Sequence, residues 1–233
     1  MRVFARTHLR LPALFVLVLA LLLVSLPAKA DSNPNPGILP PNQPAYGKSY
    51  SEWAAAWWNW ALSGPDGNNV LQDTTGALCG LNQSGPVWFL AGTLNSGAAV
   101  RTCTIPAGKA VFFPVANSFL SAEARNYGQT RKAVKVGWQK SFDWASATID
   151  GRDVVDLADY SVISPNFDLV LPPNNVFGVD AGSYSPSAAI GIHLMLAPLS
   201  PGQHEIHVQA AFKNADTGGD DIIDVTYHLT VSS

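Results

Sequence analysis

At 233 residues, with 17 Asp and Glu against 14 Lys and Arg, the chain has room for one domain with a sizeable core. Four of the basic residues and no acidic one lie in residues 1–30, so the remainder carries 10 basic against 17 acidic residues, a net −7. That acidity excludes a nucleic-acid partner, whose phosphates demand a basic face, and equally excludes docking on anionic lipid.

In chain order, Arg2, Arg6 and Arg10 precede the apolar run "ALFVLVLALLLV" (Ala13–Val24), and "AKA" (Ala28–Ala30) supplies the small residues a signal peptidase reads. Residues 1–30 therefore read as a signal peptide for export to the periplasm or beyond. The run is short for a bilayer span, so no stable membrane anchor is expected. Residues 31–45, with five prolines, read as an extended, solvated leader. One β-rich domain is expected over 46–233.

Ser49 and Glu52 have the S-x-x-E spacing of a capping box, which starts a helix at Tyr50. "SGPDG" (Ser63–Gly67) should end it. Within that helix, "SEWAAAWWNWAL" carries four of the chain's seven tryptophans. Trp53, Trp57 and Trp60 follow i, i+4, i+7, and Trp58 sits on the adjacent row. The apolar band is broad and the opposite face is nearly uncharged, so the helix should be buried. Trp53, Trp57 and Trp60 read as core, and Trp58 as the indole that reaches a pocket edge and a ligand.

Short strands follow in "PVWFLAG", "AVRTCTI" and "KAVFFPV", rich in β-branched and aromatic residues. A second helix is predicted over 130–144, with Val134, Trp138, Phe142 and Ala145 on one stripe. Then "ASATIDGRDVV" holds an Asp150-Gly151 hairpin turn. "YSVIS", "FDLVL", "AIGIHLML", "HEIHVQAAF" and "IIDVTYHLTV" bring the total to nine or ten strands. The expected class is mainly β, a sandwich of jelly-roll or immunoglobulin-like kind, with α+β as the alternative. Cys79 and Cys103 form an even pair in an exported chain and read as one disulfide.

The stretches "YGKSYSEWAAAWWNWAL", "DTTGALC", "QSGPVWFLAGT", "CTIPAGKAVFFPVAN", "LSPGQHEIHV" and "DVTYHLTV" together resemble a group of exported bacterial proteins. The resemblance implies export and a shared β-rich fold. It brings no catalytic residue with it.

No G-x-S-x-G elbow or H-E-x-x-H pair occurs. The Gly-Lys-Ser of "AYGKS" lacks the first glycine and the preceding strand of a phosphate loop. His204 follows "SPG" on the apolar side of its strand and reads as a buried histidine with a backbone partner. If the loop "KNADTGGDD" is centred between Thr217 and Gly218, the last hairpin places His207 opposite His228, with Glu205 one diagonal step away. Those groups would suit zinc or copper. Asp216, Asp220, Asp221 and Asp224 would suit calcium, though a solvated hairpin loop accounts for them. No cofactor is expected. Glu52 is explained by capping, but with Asp66 or Asp73 it could form the carboxylate pair of a glycosidase.

The leading expectation is an exported, non-catalytic β-sandwich that binds a glycan or a cell-surface component. An extracytoplasmic hydrolase, carbohydrate-active or metal-dependent, is the second reading. A structural or surface-assembly protein is the third.

Overall fold

The computed structural model describes residues 35, 37–94, 96–121 and 130–232, all within the compact unit Asn33–Ser233. The expected signal peptide, residues 1–30, lies outside the described residues. No described helix is long and apolar enough to cross a membrane.

Among the described residues this unit has ten strands, two α-helices and a short 3-10 helix at Leu157–Tyr160. Helix α1 (Tyr50–Ala61) is followed by β1 (Val87–Phe89), β2 (Gly97–Ile105) and β3 (Ala110–Ser121). Helix α2 (Thr130–Ser141) leads into β4 (Phe142–Ile149), β5 (Arg152–Asp153), β6 (Ser161–Ile163) and β7 (Phe167–Leu171). The chain then forms β8 (Gly182–Leu196), β9 (Gly202–Lys213) and β10 (Asp220–Val231). Two five-stranded sheets result. One has the order β1-β3-β8-β6 with β7 also on β8, and the other β2-β10-β9-β4-β5. The fold is thus mainly β and sandwich-like, and both sheets are mixed, because β1 runs parallel to β3 and β2 parallel to β10.

Burial explains the sequence patterns of the two sheets. In β9 and β10 buried and exposed residues alternate, as on a sheet with one wet face. In β8 every residue from Pro186 to Leu196 is buried, so "AIGIHLML" shows no alternation. A strand covered on both faces reads that way. Helix α1 covers one side of it: Tyr50 and Trp53 pack on Phe112 of β3, and Phe112 stacks on His193 of β8.

The capping box at α1 is complete. Ser49 Oγ accepts from Glu52 N, and Glu52 Oε2 accepts from Ser49 N at 2.8 Å. An N-cap of this kind stabilises a helix by about 1 kcal/mol. The helix is buried on most of its circumference, including Trp53, Trp57, Trp58 and Trp60. Its uncharged face has a use: Asn59 donates to Asp168 O and accepts from Val170 N, pairing with the edge of β7 as a strand would.

Three expectations need correction. Residues 37–45 do not run as a solvated leader. Ile38 is buried, Leu39 N donates to Met195 O at 2.8 Å, and Ala197 N donates to Gly37 O. The apolar pair Ile38-Leu39 among the prolines docks on the end of β8. Helix α2 stops at Ser141 rather than residue 144, because Phe142 already pairs with Phe212 of β9 while stacking on Trp138.

The last hairpin is shifted by two residues from the expected register. His207 lies opposite Thr226, His228 opposite Glu205, and Ile206 opposite Tyr227. Asn214 is the cause: its Oδ1 accepts from Asp216 N and Thr217 N, which tightens the loop one residue earlier. A two-residue shift preserves the faces, so the apolar side stays inward.

Cys79 and Cys103 form the expected disulfide, with Cα atoms 6.0 Å apart. Gly76 permits it. A Cβ there would stand 2.3 Å from Thr102 O, so the 73–79 loop can lie flat on β2. Replacing both cysteines by alanine is expected to cost about 3 kcal/mol, from the chain entropy of a loop this long. Urea denaturation of the double variant would measure it, and a loss well under 1 kcal/mol would show that the loop is held by packing alone.

Candidate functional site

The four indoles of α1 differ in one respect. Trp53 Nε1 donates to Ala45 O at 2.8 Å, Trp57 Nε1 to Leu90 O at 2.9 Å, and Trp60 Nε1 to Leu81 O at 2.8 Å. Trp58 Nε1 is buried and has no hydrogen-bond partner. An unpaired buried donor costs about 1–3 kcal/mol, so its persistence asks for an explanation.

Trp58 is 7% exposed, and its open side lines a cleft of about 500 Å³. Two further cleft residues carry buried side-chain atoms with no partner, Thr93 (Oγ1) and Asn117 (Nδ2). The three residues line one depression, while these three atoms lie beneath its surface, out of reach of solvent. Around them stand Phe119, Phe177 and Phe212, with Leu94 and Ile223. Trp58 and Phe119 pack with ring centroids 4.4 Å apart, and Phe119 and Phe177 at 5.9 Å. The charged residue of the lining is Asp221, whose carboxylate accepts from Asn214 Nδ2.

The elements that present these groups come from distant parts of the chain. Asn117 and Phe119 are on β3, Phe212 and Ile223 on β9 and β10, and Trp58 is on α1. Asn117 lies opposite Gly191 of β8, and a Cβ at Gly191 would come within 2.5 Å of the Asn117 Cβ. Gly191 thus sets how closely Asn117 seats against the strand. Sequence reasoning singled out Trp58 but missed Thr93, Asn117 and Phe119. Phe119 could have been found by extending the strand beyond "KAVFFPV"; Thr93 gives no signal.

The other candidates are engaged elsewhere. Glu52 is exposed and bonded only to Ser49, whose backbone N–H and hydroxyl hold its carboxyl below the usual range. Burial would raise the Asp73 carboxyl, but hydrogen bonds from Leu78 N, Thr75 and Gly76 N outweigh it and hold it low. The Asp66 carboxylate accepts from Gln72 Nε2 at 2.7 Å.

His207 and His228 are not directly opposite each other, but share a face as diagonal neighbours, each beside its own carboxylate. His207 Nε2 is 2.8 Å from Asp224 Oδ1, while His228 Nδ1 is 3.3 Å from Glu205 Oε2. The acidic loop is likewise spoken for: Lys213 pairs with Asp220, Asn214 with Asp221, and Gln209 with Asp224. Among the described residues, no group of three or more His, Cys, Asp or Glu is placed to hold a metal ion.

His204 shows a Ser–His–Asp order that resembles a hydrolytic triad. Nδ1 is 2.8 Å from Asp150 Oδ2, and Nε2 is 3.4 Å from Ser200 Oγ. Nε2 is nearer the Ser200 carbonyl, at 2.9 Å, so it donates there and cannot take a proton from the hydroxyl. Partial burial pulls the imidazole down, yet Asp150 and the Ser200 carbonyl together raise it above its ordinary value. The arrangement is a charged clamp between the Asp150-Gly151 turn and the start of β9. It has the backbone partner expected of His204, though the ring is only partly buried.

No protein-family model matches the chain, and no curated protein matches it. Among solved structures, it is similar to one described as "Structure of PbICP-C in complex with falcipain-2", with 11% identity and a TM-score of 0.24. That match covers 64% of this chain and 100% of the other. A likeness at that level carries no argument.

Proposed function

We propose that the protein is an exported binding module that takes a glycan in the Trp58–Asn117 cleft. The observation that carries this reading is a cleft of about 500 Å³ walled by Trp58, Phe119, Phe177 and Phe212, with Ser96, Asn117 and Ser118 in its polar lining. Sugar rings present apolar C–H faces to aromatic side chains and a fringe of oxygens to amide and indole N–H groups. A cleft of this size accommodates one or two such rings, within the usual range for small-ligand sites. Export rests on the signal-like residues 1–30, with support from the disulfide, which persists in oxidising compartments.

Titrating the protein with a panel of neutral oligosaccharides, read by tryptophan fluorescence and calorimetry, tests the proposal. At least one sugar is expected to bind saturably, and Trp58→Ala and Asn117→Ala should each weaken that binding by about tenfold or more. Absence of any response at millimolar sugar across the panel would sink it.

A further inference from the structure

Phe177 is the most open ring in the cleft wall. It is 41% exposed, whereas Trp58 is buried and Phe119 and Phe212 are partly buried. An aromatic ring left in water adds little to folding, because its contribution comes from burial. Phe177 belongs to the connection between β7 and β8, residues 172–181. On a loose loop such a ring would turn inward or drift, yet this loop is fastened at many points.

Asn175, 2% exposed, is the centre of that fastening. Its Nδ2 donates to Pro172 O at 3.0 Å and to Val179 O at 2.7 Å, and its Oδ1 accepts from Phe177 N at 3.2 Å and Val179 N at 3.4 Å. Both ends of one amide are thus used on the backbone around Phe177. Gly178 N donates back to Asn175 O, and Gly178 takes φ +64°, a left-handed value that suits glycine. Asp66 N donates to Asn174 O at 2.7 Å, and Pro65 forms a bridge with Asn175. Those contacts tie the loop to the turn that ends α1, the helix that carries Trp58. Val176 packs inward on the core, and the next side chain, Phe177, is left outside.

The ring also leans on Phe119, with centroids 5.9 Å apart and planes at 48°, and stays exposed beyond that contact. Resting on the glycan reading above, we propose that Phe177 contacts the sugar directly and that Asn175 is the positioning residue that holds it in the wall. The C–H face of a pyranose covers the part of the ring that folding leaves in water. Asn175 does not touch the sugar; it fixes the backbone on both sides of Phe177. Because the loop is ordered before binding, little conformational freedom is lost when the sugar enters, and affinity is higher for it.

Calorimetry with cellotriose, xylotriose, maltotriose and chitotriose selects the tightest binder as the probe, or the tightest sugar of the wider neutral panel if none of the four binds. Phe177→Ala is expected to weaken binding of that probe about tenfold, with the urea midpoint little changed because the side chain is exposed. Asn175→Ala should weaken it about fivefold in the wild-type background and no further in Phe177→Ala, since it acts through that ring. An asparagine with a merely structural role would weaken both backgrounds alike. Gly178→Ala, which strains the left-handed turn without removing a hydrogen bond, makes the same comparison should Asn175→Ala fail to fold. Saturable binding that Phe177→Ala leaves intact overturns the contact and leaves the glycan reading standing. A loss from Asn175→Ala or Gly178→Ala that persists in full in Phe177→Ala, or no loss from either, overturns the positioning role. No binding by any sugar overturns both readings.

Discussion

Replacing Arg101 by alanine is expected to cost about 3–5 kcal/mol. The side chain is 1% exposed, and its partners are backbone carbonyls and a phenol rather than a carboxylate. Nε donates to Asp73 O, Nη1 to Ala91 O and Tyr227 Oη, and Nη2 to Gly92 O. The guanidinium also lies 5.4 Å from the centre of the Tyr227 ring. Tyr227 closes the network by donating to Ala91 O and accepting from Ala91 N.

Truncation would leave the carbonyls of Asp73 and Gly92 without this donor and would enlarge a void of about 10 Å³ that already lies beside Arg101, room for roughly one water. Lysine should not rescue the variant, because a single ammonium cannot reproduce the planar fork that reaches the carbonyls of Asp73, Ala91 and Gly92 at once. Urea denaturation of Arg101→Ala and Arg101→Lys measures the cost. A change under about 1 kcal/mol would mean that water replaces the guanidinium without penalty.

The second large effect is a loss of stability on mild acidification, traced to His193. This ring is fully buried and stacks on Phe112 at 5.4 Å with planes 9° apart, and neither nitrogen makes a well-formed hydrogen bond, its nearest polar influence being the Gly191 backbone. Burial pushes its pKa from 6.5 down to about 4, against a weaker opposing pull from the Gly191 backbone. A folded value below the unfolded one means that the unfolded chain takes up the proton first. The stabilising contribution is complete above pH 6.5 and is lost as pH falls toward about 4. The whole excursion is worth about 3 kcal/mol.

The carboxylates held low, Glu52, Asp73, Asp150 and Asp224, lose their contributions below that window. His204 works in the opposite sense. Its raised pKa gives stability that is present below 6.5 and fades as pH rises through the folded value. The difference between wild type and His193→Phe therefore isolates the buried ring. Unfolding free energies measured from pH 7 down to about 4.5 should fall in the wild type and stay flatter in the variant. Parallel slopes would show that His193 acquires its proton without unfolding the core.

How much of this was legible in the residues depends on the range of the interaction. The capping box needs only Ser49 and Glu52, three positions apart, and the start of α1 follows from them. The face of β10 also follows from alternation, but its register does not, because the Asn214 side chain sets the loop and hydropathy carries no trace of that choice. Arg101 could have been noticed. Alternation in "AVRTCTI" puts it on the same face as Ala99, Cys103 and Ile105, an odd position for a charge. Its partners lie in loops at 73 and 91–92, which no periodicity reaches.

The candidate site divides along the same line. The tryptophan helix announces itself, and its helical rows separate Trp58 from Trp53, Trp57 and Trp60. That Trp58 alone of the four lacks an acceptor depends on where Ala45, Leu81 and Leu90 place their carbonyls. Asn117 and Thr93 join it only through the packing of β3 and the turn before β2. Side chains gathered into one cleft from distant parts of the chain leave no local signature.

The double-sided burial of β8 bears on how the molecule comes apart. A strand with β3 on one edge, β6 and β7 on the other, and cover above and below has no path to solvent that leaves its neighbours in place. Its amides can exchange with deuterium only when the whole unit opens, whereas those of the short outer strands β5 and β6 can exchange by local fraying. The slowest-exchanging amides of the protein should map to Ala188–Leu196, and their rate would report global unfolding directly.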